Sequence, residues 1–239
     1  MSYDIVDSSY NGDTGSTYGV AEINVMRESS ASQSYWDRAY SYISDELDRI
    51  YQNTSLDGTI ARKYDTDADI GCNNLFDDGN QWLDDNGLTG DGSHVWIVGG
   101  CDDTHIATSG GGDNGAWDSR TQGFVGENTY PNEHEVAFSA IHEGLHTHLA
   151  ANTCDRVRSE VLNGETTDDG NSDDHHLGMV YTSWWGDDAS VMLGHYGNDI
   201  ADNGDCDQTA WTIDGYDNDV TDCTLRALEL SSEHAAGQH

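Results

Sequence analysis

The stretch AFSAIHEGLHTHLA, residues 137 to 150, sets His142, Glu143 and His146 in the spacing HExxH. On a helix turning about 100° per residue, the two histidines lie about 40° apart on one face and one turn apart along the axis, so both imidazoles can reach a single ion. Glu143, about 100° round from His142, is close enough to take a proton from a water beside that ion without ligating it. His148, at about 240°, points away and is excluded as a ligand. With 11 His and 11 Glu among 239 residues, chance would produce this spacing in roughly 2% of chains of the same composition, so a metal site is the better reading. Imidazole donors favour zinc. The chemistry to expect is hydrolysis of a peptide bond by a metal-activated water, with Glu143 as general base.

Catalytic zinc usually takes three protein ligands and a water. The compact metzincin spacing would need a glycine and a histidine where Leu149 and Asn152 stand. DDHHLGMV, with His175 and His176, is the better source of a third ligand. NGETTDD supplies Glu165, the choice of a thermolysin-like arrangement.

HEGLHTHL, then HHLG, SVML, GDC and DCT together resemble a group of metzincin-like metalloproteases of halophilic archaea and fungi, whose third histidine lies farther along the chain. The likeness covers about residues 135 to 228. It implies His175 as third ligand, Met192 as the floor beneath the metal, and a Cys206–Cys223 disulfide. Metzincins often carry a tyrosine two residues after that methionine; Gly194 stands there instead, followed by His195 and Tyr196, either of which could assist the transition state. Tyr196 is the one taken into the candidate catalytic set.

The elements that must position these residues are legible in part. A first strand is expected over residues 18 to 27. SQSYWDRAYSYISDELDRIYQ places Trp36, Tyr40, Ile43, Leu47 and Ile50 on one helical stripe, with Ser34 and Asp37 as a capping box. GTIARKYDT and SHVWIVGG read as further strands, and TQGFVGEN as a strand lining an open edge where an extended substrate could pair by its backbone. The active helix is expected to begin near Pro131 and to bury Val136, Ala140, Ile141, Leu145 and Leu149, with Gly144 and Ala140 allowing close packing. DCTLRALELSSEHAA reads as a final helix. The expected fold is α+β and zincin-like: a twisted mixed sheet with an amphipathic backing helix and an active-site helix, then an irregular C-terminal lobe ending in a helix. Residues 1–239 form one domain, with an N-terminal lobe over 1–150 and a C-terminal lobe over 151–239.

Composition limits the setting. The net charge is −36, from 45 acidic against 9 basic residues, and Lys63 is the single lysine. Val, Ile, Leu and Phe make up about 16% of the chain, a level that at this charge usually means disorder. Seven tryptophans, twelve tyrosines and clear periodicity argue for a folded protein instead. Such a surface repels itself at ordinary salt and is relieved near molar salt, where the screening length falls to about 3 Å. A high-salt setting, extracellular or on a virion, is therefore expected. Nucleic acid is disfavoured as a partner, no stretch reaches the roughly 20 apolar residues of a membrane span, and nothing in the pattern specifies an oligomer. The first residues show no basic region followed by an apolar one, so no secretion signal is read there. Five cysteines without a CxxC pair favour disulfides over a thiolate zinc site, with one left unpaired. The aspartate-rich loops DTDADIG, DDNGLTGDG and DGYDNDVTD lack the EF-hand pattern and read first as solvated turns, with a calcium ion at one of them as a second cofactor the sequence allows.

The leading reading is thus a zinc endopeptidase acting on peptide or protein substrates. Its rival from another class is an attachment protein of a surface or virion that keeps the fold and metal without proteolysis. The presence of Glu143 favours the enzyme, because a scaffold has no use for that carboxylate.

Overall fold

The computed structural model describes residues 3–16, 19–88, 90, 92–101, 105–108, 115–128, 132–150, 153–162, 177–178, 180–183, 186–192, 195–196, 199–200, 215–216 and 220–237. Its centre is a six-stranded mixed sheet of β1 (Tyr3–Gly12), β2 (Val20–Arg27), β3 (Gly58–Thr66), β4 (Gly92–Val98), β5 (His105–Thr108) and β6 (Arg120–Gly126). The spatial order is β1-β3-β2-β4-β6-β5. The four inner strands run parallel, while β1 and β5, one at each end, are antiparallel to their neighbours.

Helices cover both faces. Helix α1 (Gln33–Asn53) connects β2 to β3 and buries the expected stripe of Trp36, Tyr40, Ile43, Leu47 and Ile50. It packs with α3 (Glu133–His146) over Ile23, Val25, Val95, Ile97 and Val125 of the sheet. On the opposite face α2 (Leu75–Asp85) sets Trp82 and Leu83 against Met26, Tyr64, Trp96 and Phe124. Trp82 meets Trp96 edge-on at 5.4 Å, and Phe76 meets Phe124 in the same manner at 4.9 Å. The alternation of VAEINVMR and SHVWIV thus divides two cores between the two faces of one sheet.

The far half of the chain contributes the short strands β7 (Val180–Ser183), β8 (Gly186–Ala189), β9 (His195–Tyr196), β10 (Asp199–Ile200) and β11 (Gly215–Tyr216), then α4 (Asp222–Ala235). The side chain of Thr221 caps α4 by accepting from Thr224 N at 3.0 Å, and its hydroxyl donates to the carbonyl of Leu177. Leu177, Val191, Met192 and Leu228 join the core under α1 and α3.

Three local expectations need correction. The capping box on Ser34 and Asp37 does not form: Ser32 occupies the N-cap without a side-chain bond to the helix backbone, its hydroxyl meeting that of Ser34 at 3.1 Å, and its N–H donates to Glu127 Oε2 at 2.7 Å. Asp37 is drawn instead to Lys63 and to Gln33 Nε2. Helix α3 begins two residues after Pro131, which lies outside the described residues; Asn132 is its cap, accepting from His134 N and Glu135 N. The TQGFVGEN strand, β6, is not at an edge. The chain after β4 returns as β5 and pairs along the outer side of β6, so β5 is the terminal strand.

The basic residues are committed within the fold. Eight of the nine form ion pairs, among them Arg27 with Asp65, Arg62 with Glu22 and Arg120 with Asp84. The ninth, Arg38, donates to Tyr42 Oη at 2.7 Å and approaches His134 Nδ1 at 3.0 Å. Lys63 has its ammonium 4.3 Å from the Trp36 ring centre. The surplus of charge is therefore wholly acidic. Among the described residues no helix is long and apolar enough to cross a membrane.

Candidate metal centre

Helix α3 lies on the sheet closely enough to bring its histidine face to a fixed place. Gly144 is the reason: a Cβ there would stand 2.9 Å from Ile23 Cδ1 and 3.4 Å from Val95 Cγ2. Val136, Ala140, Ile141 and Leu145 are buried as expected, and Leu149 is half-buried against the same core.

The imidazoles of His142 and His146 then face one another, Nε2 to Nε2, at 2.8 Å, with ring centres 4.4 Å apart. Nδ1 of His142 lies 2.6 Å from the carbonyl oxygen of Val191. A carbonyl can only accept, so Nδ1 carries the proton and Nε2 presents its lone pair toward His146. Two imidazole nitrogens converging this closely need a proton or a cation between them, and the donor set suits zinc. Phe138, one turn before His142, lies nearly parallel to its ring at 6.4 Å. His142 is thus held from the turn at Val191 and flanked by Phe138.

Glu143 is 4% exposed, on the side of α3 that meets β6. A Cβ on Gly123 would come 3.0 Å from Glu143 Cβ, so this strand position has room for little more than glycine. His148 is a structural residue: its Nδ1 donates to Gly144 O at 2.9 Å, Trp117 meets it edge-on at 5.1 Å, and Trp117 Nε1 donates to its carbonyl at 2.7 Å. Burial pushes its pKa down to about 4, against the opposing pull of the Gly144 carbonyl. It stands apart from the His142–His146 pair, buried against Trp117 and the Gly144 carbonyl.

No protein-family model, curated protein or solved structure matches this chain.

The remaining candidates divide by where they fall. His175, His176 and Glu165 lie outside the described residues. The backbone of His195 and Tyr196 forms β9, paired antiparallel with β10; the role expected of Tyr196 rests on its side chain, which is outside what is described. Met192 is fully buried beside the Val191 carbonyl. Among the described residues no group of three His, Cys, Asp or Glu side chains converges, for zinc or for calcium. In DTDADIG the Asp67 carboxylate accepts from Trp82 Nε1 at 3.1 Å.

Of the cysteines, Cys72 pairs with Cys101, and Cys154 is a buried free thiol. Cys223 is disulfide-bonded, while its expected partner, Cys206, lies outside the described residues.

Two contributors escaped the sequence reading. Phe138 sits four positions before His142, a spacing that marks it as a helical neighbour. The Val191 carbonyl carried no such signal, because a backbone acceptor cannot be read from residue type.

Proposed function

We propose that this chain is a zinc-dependent endopeptidase of zincin-like fold that works outside the cell in high salt. The observation that carries the reading is the 2.8 Å approach of His142 Nε2 and His146 Nε2, with His142 oriented by Val191 and the carboxylate of Glu143 next in sequence. His142 and His146 would hold the ion, with His175 as third ligand. When bound, zinc would act as a Lewis acid and bring the pKa of water to about 7. Glu143, buried beside β6, accepts the proton of the attacking water and returns it to the departing amine nitrogen. Tyr196 is the candidate for hydrogen bonding to the oxygen that gains charge at the scissile carbonyl. An extended peptide would add to the outer edge of β5, the last strand of the sheet among the described residues, so that main-chain pairing holds it and side-chain preference is secondary. The −36 charge supports activity and stability only where salt screens it.

Hydrolysis of a casein or an unstructured peptide in about 3 M salt, wild type beside Glu143→Gln, tests this directly. The wild type is expected to cleave and the variant to lose at least about a hundredfold in kcat while keeping its metal. Equal rates in both would exclude Glu143 as the base. Bound zinc without cleavage by either would favour the attachment protein.

A further inference from the structure

Strand β5 is short, and among the described residues no further strand pairs along its outer side. Among the described residues its four residues pair with β6 alone, from His105 opposite Val125 to Thr108 opposite Gln122. Cys101, fully buried, stands four positions before His105 and is joined to Cys72 across a sequence separation of 29. Cys72 lies on the exposed approach to α2, and that approach is itself clamped. Gly71 N donates to Asp78 Oδ2 at 2.9 Å, and Asn74 N donates to Gly71 O at 2.9 Å. Helix α2 in turn is locked to the sheet by Trp82, Leu83 and Phe76. The tether therefore runs from the approach to α2 to Cys101, four positions before the first residue of β5.

The register of β5 matters to the proposed reaction. Ala107 is opposite Gly123, the β6 residue whose missing side chain makes room for Glu143. A peptide added outside β5 would take its position from β5, and a one-residue slip moves a strand by about 3.4 Å and exchanges its two faces.

We propose that the Cys72–Cys101 disulfide is a positioning device: it sets the register of β5 and thereby the place at which an extended peptide presents its backbone relative to Glu143. This rests on the endopeptidase reading. The two cysteines act through β5 and touch no substrate.

Cys72→Ser breaks the bond from its exposed end and leaves Cys101 in the core, and Cys101→Ala breaks it from the other end. With the full chain in high salt, hydrogen exchange over residues 105–108 is expected to quicken about tenfold or more in both variants, with β2 and β3 unchanged. For a peptide of eight or more residues, KM is expected to rise about tenfold with kcat held, whereas a blocked dipeptide too short to pair along β5 keeps its kcat/KM. Unchanged exchange over 105–108 would overturn the proposal. So would equal losses on long and short substrates, which would mean general loosening. Absence of hydrolysis by the wild type would count against the endopeptidase reading instead, and the exchange data would still uphold or overturn the hold on β5.

Discussion

His142 Nδ1 donates to the carbonyl oxygen of Val191, 49 positions later in the chain, at 2.6 Å. This bond joins α3 to the C-terminal half of the sequence and fixes which nitrogen of His142 faces His146. Groups that orient a metal-binding histidine in this way typically change metal affinity by about 10- to 100-fold when disturbed.

Met192 offers a handle on that bond, since it is fully buried next to Val191 and the acceptor itself is backbone. Met192→Ala is expected to lower stability by about 2–5 kcal/mol through the cavity it leaves, and to weaken zinc binding about tenfold as the turn relaxes. Met192→Leu keeps the volume and should cost under about 1.5 kcal/mol. Denaturant unfolding of the metal-free chain and competitive zinc titration give the two quantities separately. An unaltered zinc affinity in the alanine variant would mean the turn does not orient His142.

Gly144 sets the depth of α3 on the sheet. Gly144→Ala would place a methyl 2.9 Å from Ile23 Cδ1 and 3.3 Å from Ile23 Cγ2, an overpacking expected to cost about 1–3 kcal/mol. Removal of Cδ1 by Ile23→Val should restore part of that loss in the alanine background while destabilising the parent. A thermodynamic cycle of the four proteins measures the coupling. Strict additivity would show that the contact does not limit the helix.

His94 gives the fold an acid-sensitive element on the α2 face of the sheet. It is 3% exposed, and burial first, then the charge of Arg120, pushes its pKa down to about 4. In the unfolded chain the value is about 6.5. The unfolded state therefore binds the proton first, so the stability His94 permits is complete above about pH 6.5 and falls away down to about pH 4, by roughly 3 kcal/mol in all. His148 acts in the same direction. In constant high salt, His94→Gln should lose less stability than the wild type between pH 7.5 and 4.5. Parallel losses would show that His94 is not the group being protonated.

Much of this arrangement was legible where one residue's chemistry or one period decided it. The stripe of α1 from Trp36 to Ile50, the parallel strands VAEINVMR and SHVWIV, and the histidine face of α3 all follow from local pattern. Strand β1 was missed because it does not alternate: Ile5, Val6 and Tyr10 are all more than half-exposed or close to it, and a register shift falls between Ile5 and Asp7. Helix α2 was hidden by Gly79, which sits where a Cβ would meet Gln122 Oε1 at 2.3 Å; helix propensity disfavours glycine there, and tertiary packing demands it. Strand β5 was lost in a glycine-rich stretch, so β6 was taken for the edge. The pairing of Cys72 with Cys101 and the acceptor at Val191 depend on contacts between distant segments, which spacing does not encode.

The most direct test is the zinc content of the purified chain, by elemental analysis after dialysis in high salt, for the wild type, Glu143→Gln, His142→Ala and His146→Ala. One zinc per chain is expected in the wild type and in Glu143→Gln, with the ion lost from each histidine variant although both stay folded. A wild type that binds no zinc, or histidine variants that keep it, would contradict the pairing of these two imidazoles around one ion.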